Sequence, residues 1–217
     1  NYSMSSQKQL LGAIKLFYNE IFNRKIDFSI IYPSRKARHL PYILSKNEVR
    51  KMLDVISNSK HKAILATIYS LGLRSSEVID LRIENIDSDR MIVSIKNSKG
   101  NKDRIVMLSE KLLVILRDYF MEYRPREYLF EGQKKEKYST SSLRKVFHKA
   151  KEAAKITKPV TVHSLRHSFA THLLENGTDI RIIQKLLGHK NINTTLWYTQ
   201  VAHSTIKNVK SPLDSLY

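Results

Sequence analysis

His163, Arg166, His189 and Tyr198 fall within 36 residues of this chain, in an arrangement suited to holding a phosphodiester and attacking it. His163-Ser-Leu-Arg166-His167 opens one helical segment, Leu187-Gly188-His189 closes another, and Tyr198 follows nine residues later. Arginine presents a planar fork of donors that fits two phosphate oxygens at once and stays charged while doing so, which makes Arg166 a candidate clamp. A phenol is a poor nucleophile at its ordinary pKa of about 10, so a tyrosine that attacks phosphorus needs cations and proton acceptors that favour its anion. His163 and His189 are the candidates for that setting. With eight His and eleven Tyr in the chain, any one of them taken alone is more often a surface or half-buried residue than a catalyst.

Other segments change that balance. Leu71-Gly-Leu-Arg74-Ser-Ser-Glu77 places a second arginine just past a helix end at Gly72, with a carboxylate three residues on that can orient Arg74 or a neighbouring imidazole. Lys99 lies in Asn97-Ser-Lys-Gly-Asn-Lys102, a turn between two strand-like runs, Met91–Lys96 and Arg104–Leu108. A lysine at a hairpin tip can reach into a DNA groove. The set Arg74, Lys99, His163, Arg166, His189 and Tyr198, in this order, resembles the catalytic set of the tyrosine recombinase (phage integrase) family. The wording Gly-Leu-Arg-Ser-Ser-Glu, His-Ser-Leu-Arg-His-Ser-Phe-Ala-Thr-His and Leu-Leu-Gly-His-Lys-Asn-Ile-Asn-Thr-Thr-Leu-Trp-Tyr-Thr is similar to that family from about residue 40 onward.

The charge agrees. With 38 Lys plus Arg against 20 Asp plus Glu, the formal net charge of +18 points to a polyanionic partner, and nucleic acid fits best. An anionic membrane surface would also attract such a charge, yet no segment approaches the roughly 18 uninterrupted apolar residues of a membrane span. The absence of Cys removes a disulfide framework, a thiolate metal site and a cysteine nucleophile from consideration.

Periodicity predicts a mainly α fold with a small antiparallel β-sheet. Residues 5–23 carry apolar side chains at helical spacing. Two prolines then bracket a basic run, Arg35, Lys36 and Arg38, in the manner of an extended linker over 33–44. Ser45-Lys-Asn-Glu48 is a capping-box pattern that starts a helix through about Ile56. Further helices are predicted over Lys60–Leu71, Ser76–Leu81, Ser109–Tyr123 and Ser139–Ala154, the last bearing Arg144 and Lys145 on a face that serves equally for DNA contact or plain solvation.

Two rival readings stay open on the residues alone. Thr178–Tyr198 could form a helix-turn-helix, leaving the protein without chemistry. His163 and His167, four apart, could be metal ligands, although Ser164 stands where a zinc hydrolase needs Glu; His167 and His172 read more simply as packing and polar-network residues.

The family resemblance implies a tyrosine recombinase catalytic-domain fold over 45–202, with residues 1–32 as the last helix of a truncated core-binding domain and 203–217 as a tail that packs into a neighbouring protomer. It implies cleavage by Tyr198 through a 3′-phosphotyrosyl link, with Arg74 and Arg166 offsetting phosphate charge, Lys99 protonating the leaving 5′-oxygen, His163 as general base or hydrogen-bond partner, His189 donating to a non-bridging oxygen and Glu77 supporting the set. Lys102, Arg104, Arg144, Lys145 and the linker cations would contact DNA. No cofactor and no metal are implied. The implied partners are double-stranded DNA with inverted-repeat half-sites and three further copies in a tetramer on DNA, in a bacterial, cytoplasmic and nucleoid-associated setting. A type IB topoisomerase uses nearly the same chemistry and is the alternative enzyme. Gln200 and Met107 depart from residues common in the family.

Overall fold

The computed structural model describes residues 4–27, 41–96, 103–133 and 136–200. Lys99 and Lys102, Arg35, Lys36 and Arg38, most of the linker and the tail at 203–217 lie outside these residues. The chain divides into two units, 1–39 and 40–217. The first contains helix α1 (Met4–Phe22), on which Phe17, Tyr18 and Phe22 bring their rings together at centroid distances of 5.5 to 5.8 Å.

The second unit is built around α3 (Ser59–Leu71). It follows α2 (Lys46–Asp54), where Ser45 and Glu48 form the expected reciprocal cap. Residues 63–68 of α3 are buried without interruption, so this helix is apolar on all sides rather than on one stripe, and it occupies the centre. It packs against α5 (Glu110–Tyr123) and α7 (Val162–Glu175). Between α3 and α5 in the chain run α4 (Ser75–Asp80), a short 3-10 turn at Ile83–Asn85, and three strands. Helix α6 (Thr140–Ala153) buries Leu143, Val146, Phe147 and Ala150 and leaves Arg144 and Lys145 exposed.

The strands are β1 (Ile86–Asp87), β2 (Ile92–Ile95) and β3 (Arg104–Met107), antiparallel in the order β1-β2-β3. The two strand-like runs on either side of residues 97–102 pair antiparallel as β2 and β3, and β1 adds a third strand that its two-residue length had hidden. Pairing of Val93 with Val106 and Ile95 with Arg104 turns Val93, Ile95 and Val106 into the core and sets Arg104 at the sheet end that meets α8 (Ile180–Leu187). The final elements are α9 (Asn193–Leu196) and a 3-10 turn, Trp197–Gln200. The 3-10 turn that continues α9 packs on α7, so this segment is built into the body of the unit, against the helix-turn-helix alternative. Among the described residues no helix is long and apolar enough to cross a membrane.

Candidate active site

Two left-handed glycines organise the site. Gly72 (φ 62°) ends α3 and Gly188 (φ 64°) ends α8, a conformation that glycine adopts without the steric cost a Cβ brings. Each turn leaves terminal helix carbonyls with no partner inside the helix. Arg166, projecting from α7, takes them: its guanidinium donates to the Gly72 carbonyl at 2.7 Å and the Leu187 carbonyl at 2.6 Å. Arg104 caps the same helix end by donating Nε–H to the Leu186 carbonyl at 2.7 Å. Two helix C-termini, each with partial negative charge, thus face buried cations.

Glu77 ties the arginines together. Its carboxylate accepts from the Arg74 guanidinium at 2.6 Å and the Arg74 backbone N–H at 2.8 Å, and receives Arg104 through both terminal nitrogens at 2.9 and 2.8 Å. Arg166 stands 3.5 Å away. Burial alone would raise the carboxyl pKa, but the Arg104 hydrogen bonds and charge, with Arg74 and Arg166, hold it at about 2. Burial and the charge of Arg74 bring the Arg166 guanidinium down to about 10, still fully charged near neutrality.

Arg104, expected among the DNA contacts, has a side chain 7% exposed, with its donors engaged by Glu77 and the Leu186 carbonyl. It nevertheless borders an open groove of about 1110 Å³ between the β2–β3 hairpin and the end of α8, lined also by Lys96, Lys185, His189 and Lys190.

The imidazoles join this network. Arg166 can only donate, so at 3.1 Å it makes His189 Nε2 the acceptor, and the His189 proton then lies on Nδ1, which donates to Thr195 Oγ1 at 3.0 Å. His189 Nε2 is thus paired with Arg166 in this structure. Burial, with Arg166 and Arg74, brings its pKa to about 4, which keeps the ring neutral. His163 meets His167 edge to face at a centroid distance of 4.5 Å. Its pKa is lowered by burial and by Arg166 and Arg74.

Tyr198 is 3% exposed, with its ring parallel to His189 at 6.4 Å and its hydroxyl 3.0 Å from His167 Nδ1. The partner of the phenol is thus His167, which the sequence suggested for packing and a polar network and not for the reaction. The environment does not favour the phenolate: burial raises the Tyr198 pKa and outweighs the lowering by Arg166 and Arg74. His167 and fully buried Thr195 are the residues that sequence reasoning missed, and the position of His167 one residue after Arg166 was the available signal. Among the described residues no group of three or more His, Cys, Asp or Glu is placed to hold a metal ion, and His167 Nδ1 is committed to Tyr198.

A tyrosine hydroxyl on an imidazole, backed by an arginine cluster on a helical scaffold, suits the class that the sequence matches, the tyrosine recombinases. The chain belongs to the phage integrase family, which matches residues 43–205. It is 38% identical over 215 residues to the tyrosine recombinase XerA of Pyrococcus horikoshii, covering 98% of this chain and 74% of that relative. A crystal structure of XerA recombinase superposes with a TM-score of 0.72 at 31% identity, covering 97% of this chain and 78% of that one. XerH recombinase in a pre-cleavage complex with its difH substrate gives a TM-score of 0.76 at 25% identity, covering 95% and 66%. The protein is a site-specific DNA recombinase.

Proposed function

We propose that Tyr198 attacks the scissile phosphate to form a 3′-phosphotyrosyl link and release a 5′-hydroxyl, and that attack by a 5′-hydroxyl from a partner strand reverses the step. The observation that carries this reading is the Tyr198 hydroxyl held 3.0 Å from His167 beside the Arg74–Glu77–Arg166 cluster. Arg74, its side chain 27% exposed, is the cation that meets the incoming phosphate first, and Arg166 offsets the phosphorane charge from behind it. Lys99 protonates the leaving 5′-oxygen. His163 borders the nucleophile through His167, and His189 and Glu77 fix the arginines. Arg166 and Tyr198 are 1% and 3% exposed, so the turn at 197–200 must shift outward as DNA docks.

The substrate is duplex DNA with inverted half-sites, acted on by a tetramer. The XerH complex with difH supports the DNA partner, and the groove beside His189 with Lys96, Lys185 and Lys190 supports its placement. Arg144 and Lys145, with Arg35, Lys36, Arg38 and Lys102, add backbone contacts. Helix α1 belongs to a core-binding domain, residues 203–217 reach a neighbouring protomer, and the enzyme works on the nucleoid.

Nicked suicide substrates carrying candidate sites test the reading. The wild type should accumulate a covalent protein–DNA adduct, and Tyr198→Phe should abolish it while keeping DNA affinity within a few-fold, because only the nucleophilic oxygen is lost. An adduct that persists in the variant would assign the nucleophile elsewhere.

A further inference from the structure

The phenol must lose its proton as the bond to phosphorus forms, and the resting environment does not make a phenolate. We propose that His167 is the general base of strand cleavage, taking the Tyr198 proton on Nδ1. The inference rests on Tyr198 being the nucleophile. His167 touches the reacting atom, with Nδ1 3.0 Å from the hydroxyl and the two rings 5.7 Å apart, whereas His163 faces the His167 ring edge to face. In the step, the Tyr198 Oη–phosphorus bond forms and the phosphorus–O5′ bond breaks. The phenolic proton passes to His167, and the leaving oxygen takes a proton from Lys99. His167 must then start as the tautomer protonated on Nε2, with the phenol donating.

The groups around the ring explain when it acts. His167 is flanked by His163 and Arg166 on its own helix, by His189 after α8, and by Tyr198. Burial, then His163 and Arg166, brings its pKa to about 4, so the ring rests neutral and its Nδ1 accepts from the phenol. A phosphate beside Arg74 and Arg166 adds the negative charge that an imidazolium needs. The base is thereby strengthened by the substrate it serves.

The test uses a bridging 5′-phosphorothiolate suicide substrate, whose thiolate departs without a proton donor, so the nucleophile's proton alone is read. His167→Asn, which accepts a hydrogen bond but not a proton, should cleave about 10²-fold more slowly at pH 7. Its rate should climb about tenfold per pH unit, following the tyrosinate fraction, while the wild-type rate levels off. His163→Asn should lower the rate yet keep the wild-type profile shape. DNA affinity and melting temperature separate chemistry from folding. In the wild type, ¹⁵N shifts of His167 should show an unprotonated Nδ1, and an Nδ1–H tautomer would overturn the proposal even if every variant unfolds. An Asn variant that cleaves within threefold of wild type with a parallel pH profile would overturn it as well, and one that cleaves faster would make His167 a restraint on Tyr198. Absence of an adduct from the wild type would overturn instead the nucleophile assignment beneath it.

Discussion

Glu77 is the residue on which three arginines converge, and its removal should be felt in stability before catalysis. Breaking a buried ion pair by deleting one partner leaves an uncompensated charge and typically costs 3–5 kcal/mol; Glu77→Gln should lower urea-derived stability at pH 7 by about that amount. The pH dependence has a definite sign. The carboxyl pKa falls from an ordinary 4.5 to about 2 on folding, so its contribution is present above 4.5 and is lost as pH falls toward about 2. The variant should therefore show a flatter stability profile over that interval than the wild type, and an equal slope in both would deny Glu77 this role. Lys99 provides a second test at this scale. Lys99→Ala should strongly slow cleavage of ordinary DNA but cut a bridging 5′-phosphorothiolate nearly normally, because the thiolate leaves unaided. Equal defects on both substrates would make Lys99 a positioning group.

At the scale of elements, the glycine that ends α3 couples fold to site. A Cβ on Gly72 would run into the Phe169 ring in addition to the strain of φ 62°, and the Gly72 carbonyl is an anchor of Arg166. Gly177, at φ 83°, has open space around it and isolates the backbone cost. Gly177→Ala should destabilise by about 1 kcal/mol. Gly72→Ala should cost at least twice that and also depress cleavage; similar losses for the two would show that the Phe169 contact relaxes freely. These helix ends were legible in the sequence because caps carry residue identity: Ser45 with Glu48 and Gly72 stand where they were expected, and Ser109 and Ser139, expected as first helical residues, are the caps one residue before. The wiring between elements was not legible. Arg166 and Arg104 bond to backbone carbonyls, which no residue name records. The partner of Tyr198 depends on a 3-10 turn that sequence periodicity does not resolve, so His167 looked like a packing and polar-network residue with no part in the reaction. Strand β1, at two residues, is below the length at which alternation can be seen.

For the molecule as a whole, a net charge of +18 makes DNA binding an exchange of counterions. Log affinity should fall linearly with log salt, and contact with roughly five to ten phosphates gives a slope of about −4.5 to −9. A titration by fluorescence anisotropy measures it; a slope near −1 would confine the contact to the active site. The cluster of Arg74, Arg104 and Arg166 around one carboxylate has a thermodynamic consequence that reaches past catalysis. The folded chain holds a surplus of converging positive charge that the unfolded chain disperses, so an anion that enters the site shifts the folding equilibrium by mass action, by about 2.7 kcal/mol at a hundredfold excess over its dissociation constant. The melting temperature should rise with oligonucleotide or polyphosphate well beyond the effect of chloride at equal ionic strength. Heat tolerance in this enzyme is then a gauge of site occupancy, and the form most easily unfolded is the one that has let go of its DNA.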